Sequence, residues 1–289
     1  MLRATTEGLS AILGGADSIS ISPFDECCRC PDESSRRLAR NTQIILKREA
    51  LLDRVVDPLG GSYLIEVLTN SIARRVWKLF QELEAAGGYR KAKSSGILSS
   101  VLDRRVKARE EAVAGRKRVL TGTNRFANAA ERVADAADVA WMDATPRVAH
   151  RFEQIRLRTE HYAAVNGRLP LIVLAEIGDA KMRSARSQFA ADFLACAGLA
   201  SETRRFEHAE QIAVSGADMI VLCSSDAEYL SIAEELMPIL RESGVKVVVA
   251  GNPEAAADLR SLGIFEFIHL RSNAVEVLTA LQKQIGIKD

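Results

Sequence analysis

A chain of 289 residues has room for one large or two ordinary domains. Its 47% hydrophobic and 27% charged residues are the balance of a globular protein. With 39 Lys and Arg against 38 Asp and Glu, the formal charge of +1 excludes a broad field for nucleic acid or an anionic membrane. No apolar run approaches the ~18 residues that cross a bilayer, and Met1-Leu2-Arg3-Ala4-Thr5-Thr6-Glu7 lacks the apolar centre of a signal peptide. Of five cysteines, three crowd at Cys27, Cys28 and Cys30. That is no spread disulfide framework, and reduced thiols in a cytoplasmic protein are expected.

Taken in order, Thr5 to Leu13 reads as a helix with Thr5 or Thr6 as candidate caps, ending at Gly14-Gly15. Asp17 to Ser22 alternates Ile19 and Ile21 with serines, which predicts a short strand stopped by Pro23. Ser34 to Leu52 is helical. Val55-Val56-Asp57-Pro58-Leu59-Gly60-Gly61-Ser62-Tyr63 is a rigid turn, since Pro58 fixes one dihedral and the glycine pair frees the next two. Amphipathic helices are expected over Ile65 to Ala86 and Gly96 to Arg116, and a strand over Arg118 to Thr123.

Residues 126–166 change texture. Ala127 to Ala140 is alanine-rich and weakly patterned, and Thr145 to Val165 reads as a charged helix with Pro146 near its start. A helical linker is expected there, between a first domain at 1–125 and a second at 167–289. Beyond Gly167, strand-like runs lie near Ile172–Ile177, Thr203–Glu207, Met219–Cys223, Lys246–Ala250 and Phe265–Leu270, with helical segments between and after them. Five strands in βα alternation predict an α/β doubly wound parallel sheet covered on both faces.

The leading unit, Leu169 to Arg186, is an apolar strand, a Glu176-Ile177-Gly178-Asp179 turn and a helix with Ala185, Phe189, Phe193 and Leu194 at helical spacing. In such sheets the ligand crevice lies at the carboxyl ends of the strands around the switch point. Here those ends carry Gly178 and Asp179, then Ser224 and Ser225, then Gly251 and Asn252. Small residues there either admit a bulky ligand to the backbone or simply make tight βα turns. Neither a phosphate loop nor a three-glycine dinucleotide fingerprint occurs.

Ala4-Thr5-Thr6-Glu7, Leu38-Ala39-Arg40-Asn41-Thr42-Gln43 and above all the block 55–63 resemble the methylmalonyl-CoA mutase family, as does the order of barrel end, connector and flavodoxin-like domain. The resemblance covers nearly the whole chain but only the rear of the family's (β/α)8 barrel. A barrel needs eight strands to close, and residues 1–125 offer about two. Met1 therefore reads as an internal methionine or the product of a split reading frame. Family members isomerise a short acyl-CoA by a radical route with adenosylcobalamin, whose cobalt is ligated by the histidine of an Asp-x-His-x-x-Gly motif after the first strand of the flavodoxin-like domain. The matching stretch here is Gly178-Asp179-Ala180-Lys181-Met182-Arg183, with Lys181 about where the histidine would be and no glycine following. A protonated lysine has no lone pair to offer cobalt.

Gly178, Asp179, Ser224, Ser225 and Gly251 then correspond to cofactor-binding positions of the family, kept as a vestige of its pocket. Glu26 matches a glutamate that faces the cofactor, although the asparagine expected four residues before it is Ser22, and Pro23 is a further departure. The departures resemble the small, non-catalytic subunit of heterodimeric mutases. The resemblance therefore implies a cytoplasmic partner of a large catalytic subunit. It implies no catalytic residues on this chain, adenosylcobalamin in the holoenzyme but none on this chain alone, and acyl-CoA met only through the partner. Two other readings compete: an autonomous module binding a corrinoid or another small ligand, and a catalytic chain with an unusual cofactor mode. Among smaller features, the crowded cysteines make a poor tetrahedral metal site. Asp25 and Glu26 are either an acid/base pair or a turn. His269, ending the last strand, lines the crevice or is structural.

Overall fold

Five strands hydrogen-bond in the order β2-β1-β3-β4-β5, every pair parallel. They are β1 (Ile172–Glu176), β2 (Ser201–Arg205), β3 (Met219–Cys223), β4 (Lys246–Val249) and β5 (Glu266–Phe267). The computed structural model describes residues 1–27, 29–132, 147–213, 215–240 and 243–288. Within these the chain divides into two compact units, one built from residues 1–105 and one from 106 onward. The division falls about twenty residues ahead of the 125/126 boundary that texture suggested.

In the second unit the sheet is wrapped by α6 (His150–Asn166), α7 (Ala180–Ala195), α8 (Ala209–Ala213), α9 (Tyr229–Leu240), α10 (Ala256–Leu262) and α11 (Ala274–Gln284). Every residue of β1 and β3 is buried, as parallel strands covered on both faces require. Alternate side chains serve opposite cores. Ile172, Leu174, Met219 and Val221 pack with Phe193 and Leu194 of α7 and Leu278 and Leu281 of α11. Val173, Ala175, Ile220 and Leu222 pack with Ile212 of α8 and with Ala233 and Leu236 of α9. Edge strand β2 is largely exposed, in keeping with its charged sequence Ser-Glu-Thr-Arg-Arg.

The segment expected to be a linker contributes to this core. Phe152 and Ile155 of α6 lie in the first cluster. Thr159 Oγ1 donates to Ala197 O at 2.7 Å, and Gln282 Nε2 of α11 donates to Ile155 O at 2.6 Å. A charged helix with one buried face reads as a connector because its polar stripe dominates the pattern. Thr145, Pro146 and residues 133–140 of the alanine-rich stretch lie outside the described residues.

The strand expected over Arg118 to Thr123 is a turn joined only by an isolated bridge between Thr121 and Arg125. Its cause is Asn124, fully buried, whose Oδ1 accepts from Leu120 N at 2.7 Å while Nδ2 donates to Val113 O and Arg118 O. The side chain takes backbone groups that a strand would offer to a neighbour. Beside it, the buried Arg116 guanidinium pairs with Asp192 of α7 and lies 5.2 and 5.4 Å from the Phe189 and Phe193 ring centroids. Asp192 also takes Arg125 at 3.1 Å and the Phe126 N–H at 2.6 Å.

The first unit contains α1 (Leu2–Leu13), α2 (Glu33–Arg48), α3 (Tyr63–Ala85) and α4 (Gly88–Ser94); a further helix, α5 (Ile97–Ala114), runs across the division. Among the described residues no strand precedes β1, so Asp17 to Ser22 is not one. Its apolar side chains pack locally: a Cβ added at Gly8 of α1 would sit 2.7 Å from Ile21 and 3.1 Å from Leu46. Without a neighbouring strand an alternating pattern has no ladder to join. Helix α1 starts three residues earlier than expected. Thr5 and Thr6 bond back to the carbonyls of Met1 and Arg3 and cap nothing. Asp32 caps α2 by accepting from Ser35 N at 2.7 Å. The 55–63 block turns as expected, with Asp57 at φ 52° and Gly61 at φ 78°. Helix α4 was not anticipated. None of the residues of α3 is buried, and Tyr63, Leu64 and Trp77 are among its exposed apolar side chains.

Asp192→Ala should cost about 3 kcal/mol by leaving the Arg116 guanidinium buried and unpaired. Urea unfolding of the variant with an unchanged slope checks this.

Candidate functional site

The strand order changes direction between β1 and β3, the place where open sheets of this kind hold their ligand crevice. Gly178 and Asp179 come from the β1 loop, Ser224 to Glu228 from the β3 loop, and Gly251 follows β4. The fold thus brings together five of the six residues singled out from sequence. The sixth, Glu26, belongs to the first unit. It is exposed in the turn after Pro23, while adjacent Asp25 is buried and accepts from Arg29 Nε at 2.8 Å.

Each crevice residue has a local task. Gly178 adopts φ 76°, in the left-handed region favoured by glycine. Asp179 caps α7, its carboxylate accepting from Met182 N at 2.8 Å. That places Lys181 in the first turn of α7, exposed. Ser224 and Ser225 turn their hydroxyls onto one carboxylate oxygen of Glu228, each at 2.6 Å. The same oxygen accepts the backbone N–H groups of Ser225 and Asp179, each at 3.2 Å. Four donors on one oxygen hold the Glu228 carboxyl down at about 2, the Ser224 hydroxyl contributing most and the Ser225 hydroxyl next.

Beneath this sits Tyr229, fully buried. Its hydroxyl accepts from Ser224 N at 3.1 Å and donates to Ala250 O at 2.8 Å, tying the end of β3 to that of β4. Gly251 sits in close quarters, since a Cβ there would lie 3.0 Å from Asp226 Oδ1 and 3.2 Å from the Tyr229 ring. Arg186 of α7 reaches across to Asp226 at 2.9 Å, and Arg183 donates to Gly178 O at 3.0 Å. His269 serves its own loop: its Nδ1 accepts from Arg271 N at 3.1 Å, and burial lowers its pKa. Among the described residues no three His, Cys, Asp or Glu side chains gather as a metal site, and no helix is long and apolar enough to cross a membrane.

Sequence reasoning named the small residues and missed Glu228 and Tyr229. A signal was present: Ser225-Asp226-Ala227-Glu228 has the Ser-x-x-Glu spacing of a capping box. The Ser225 N–H to Glu228 bond is half of one. The reach of Glu228 to Asp179, 49 residues away, has no local signature.

An all-parallel five-stranded sheet in the order 2-1-3-4-5, with its crevice between the first and third strands, defines an open doubly wound α/β domain of the flavodoxin-like kind. A sequence profile described as methylmalonyl-CoA mutase matches residues 1–190, and the chain belongs to the methylmalonyl-CoA mutase family. The chain is 37% identical to the methylmalonyl-CoA mutase small subunit of Porphyromonas gingivalis, over 100% of its own length and 48% of that protein. With the small subunit of Streptomyces virginiae it shares 34% identity, over 99% of its length and 47% of the relative. A methylmalonyl-CoA mutase of Rhizobium meliloti is 42% identical over 113 residues, 39% of this chain and 16% of that protein. The chain spans about half the length of the small subunits it matches.

Two outcomes test the crevice. Tyr229→Phe should destabilise the chain by about 2 kcal/mol, because Ser224 N–H and Ala250 C=O are left buried without their partner; chemical denaturation measures it. Glu228 has a folded pKa below its ordinary value, so its contribution to stability is present above about pH 4.5 and is lost as the pH falls toward 2. Glu228→Gln should flatten the stability curve over that window and leave its shape at neutral pH unchanged, as read by thermal unfolding at stepped pH.

Proposed function

We propose that this chain is a small-subunit-like, non-catalytic part of a methylmalonyl-CoA mutase. It works in the cytoplasm beside a larger catalytic subunit that holds adenosylcobalamin and handles the acyl-CoA. The observation that carries this reading is the match along its whole length to proteins named as mutase small subunits. Bound to the catalytic subunit, adenosylcobalamin supplies the radical chemistry of the carbon-skeleton rearrangement; this chain contributes surface and stability.

The residues at the sheet crevice do not fit a corrinoid. Lys181 stands exposed in the first turn of α7, about where the family's cobalt-ligating histidine would be, and carries no lone pair when protonated. The space beside Gly178 is taken by Glu228. In this reading Gly178, Asp179, Ser224, Ser225 and Gly251 keep the backbone of a cofactor crevice without its use, and Glu26 is a remnant of the barrel face. The first unit, on this proposal, is the rear of a mutase barrel. That accounts for apolar side chains of α3 such as Tyr63, Leu64 and Trp77 standing exposed in the chain by itself.

Co-expression with a catalytic mutase subunit, followed by affinity isolation and an absorbance scan, tests the proposal. The expected result is a stoichiometric complex with a corrinoid spectrum, and no such spectrum from this chain alone. A chain that ignores the catalytic subunit, or that by itself retains one corrinoid per molecule, would overturn it.

A further inference from the structure

Glu228 does more than a capping box asks. The box accounts for one donor, the Ser225 N–H from the same turn. Asp179 N–H comes from a different loop, and the hydroxyls of fully buried Ser224 and of Ser225 converge from below. The carboxylate is pressed against the β1 loop so closely that a Cβ on Gly178 would sit 2.5 Å from Oε2 and 2.7 Å from Oε1. The neighbouring charged groups are otherwise engaged: Asp179 with Met182 N, Arg183 with Gly178 O, Arg186 with Asp226.

A carboxylate held by two hydroxyls and two backbone N–H groups at a sheet switch point occupies the position where the oxyanion of a ligand is bound in other proteins of this architecture. We infer that Glu228 is the crevice's own occupant: it bridges the β1 and β3 loops, satisfies the donors a ligand would need, and closes the site to any corrinoid or phosphorylated ligand. A cofactor-type fold that the proposal leaves without a cofactor is thereby explained by one residue. The inference goes beyond the mutase reading, because the closure holds whatever the chain assembles with.

Removal of the carboxylate leaves four donors around a space of matching size, which a small carboxylate from solution fills. The test is thermal unfolding of the full chain, wild type, Glu228→Ala and Glu228→Gln, at neutral pH in sodium formate and in sodium chloride of equal ionic strength. In chloride the Ala variant should unfold roughly 5 °C below wild type, and in formate it should recover most of that loss. The wild type and the Gln variant, whose side chains still fill the space, should unfold at the same temperature in both salts. An Ala variant that loses nothing, that is indifferent to formate or that folds in neither salt overturns the inference. So does a wild type or Gln variant that gains as much from formate as the Ala variant does. The isolated chain and simple salts are all that is used, so a failed co-purification with a catalytic subunit leaves this result standing, and the reverse.

Discussion

Burying both faces of a parallel sheet is the constraint on which the second unit rests. Parallel strands cannot be joined by hairpins, so each connection must cross a face, and helices end up on both sides. β1 and β3 meet this with unbroken apolar runs, their odd and even positions feeding two separate clusters. Because β1 lies between β2 and β3, the connection from β1 leaves toward one side and that from β3 toward the other. The crevice between them is therefore a product of topology. It would exist in this order of strands whatever residues stood at the loops.

What those residues decide is whether the crevice stays open. Gly178, Ser224, Ser225 and Gly251 have the small side chains that let a ligand approach the backbone, yet here the close approaches are made by the chain itself. Glu228 lies against Gly178, while the Tyr229 ring and the Arg186–Asp226 pair crowd Gly251. Smallness at a strand end thus carries two meanings, and the neighbours distinguish them. The same set of contacts stitches the loops after β1, β3 and β4 into one polar network above the core. Most polar groups there are paired and stiffen the loops, while Arg183 Nε and Arg186 Nε are buried without a hydrogen-bond partner.

The first unit follows a different logic. Gly8, Ala39, Leu46 and Ala92 are buried, but α3 puts no residue out of water along its whole length. The amphipathic pattern of α3 was plain in the sequence. Its apolar side chains are nevertheless exposed in this unit. Periodicity records that a face is meant to be covered; it does not record by what. The Asp17–Ser22 stretch makes the same point for strands, since its alternation is genuine and no neighbour among the described residues pairs with it.

By itself the sequence determined the five strands of the sheet and their parallel sense. Runs such as Ile172 to Ile177 and Met219 to Cys223 are too apolar and too regularly separated by helical segments to fold otherwise. It also located the crevice loops, and the 55–63 block pointed to the family. Only the tertiary structure decided that α6 belongs to the core, that Asn124 turns the chain where a strand was expected, and that Glu228 occupies the crevice. For the first and the third the physical reason is the same. Each depends on hydrogen bonds or packing between groups that local pattern does not link, as from Gln282 to Ile155 or from Glu228 to Asp179, and periodicity carries information only about neighbours within a turn or two.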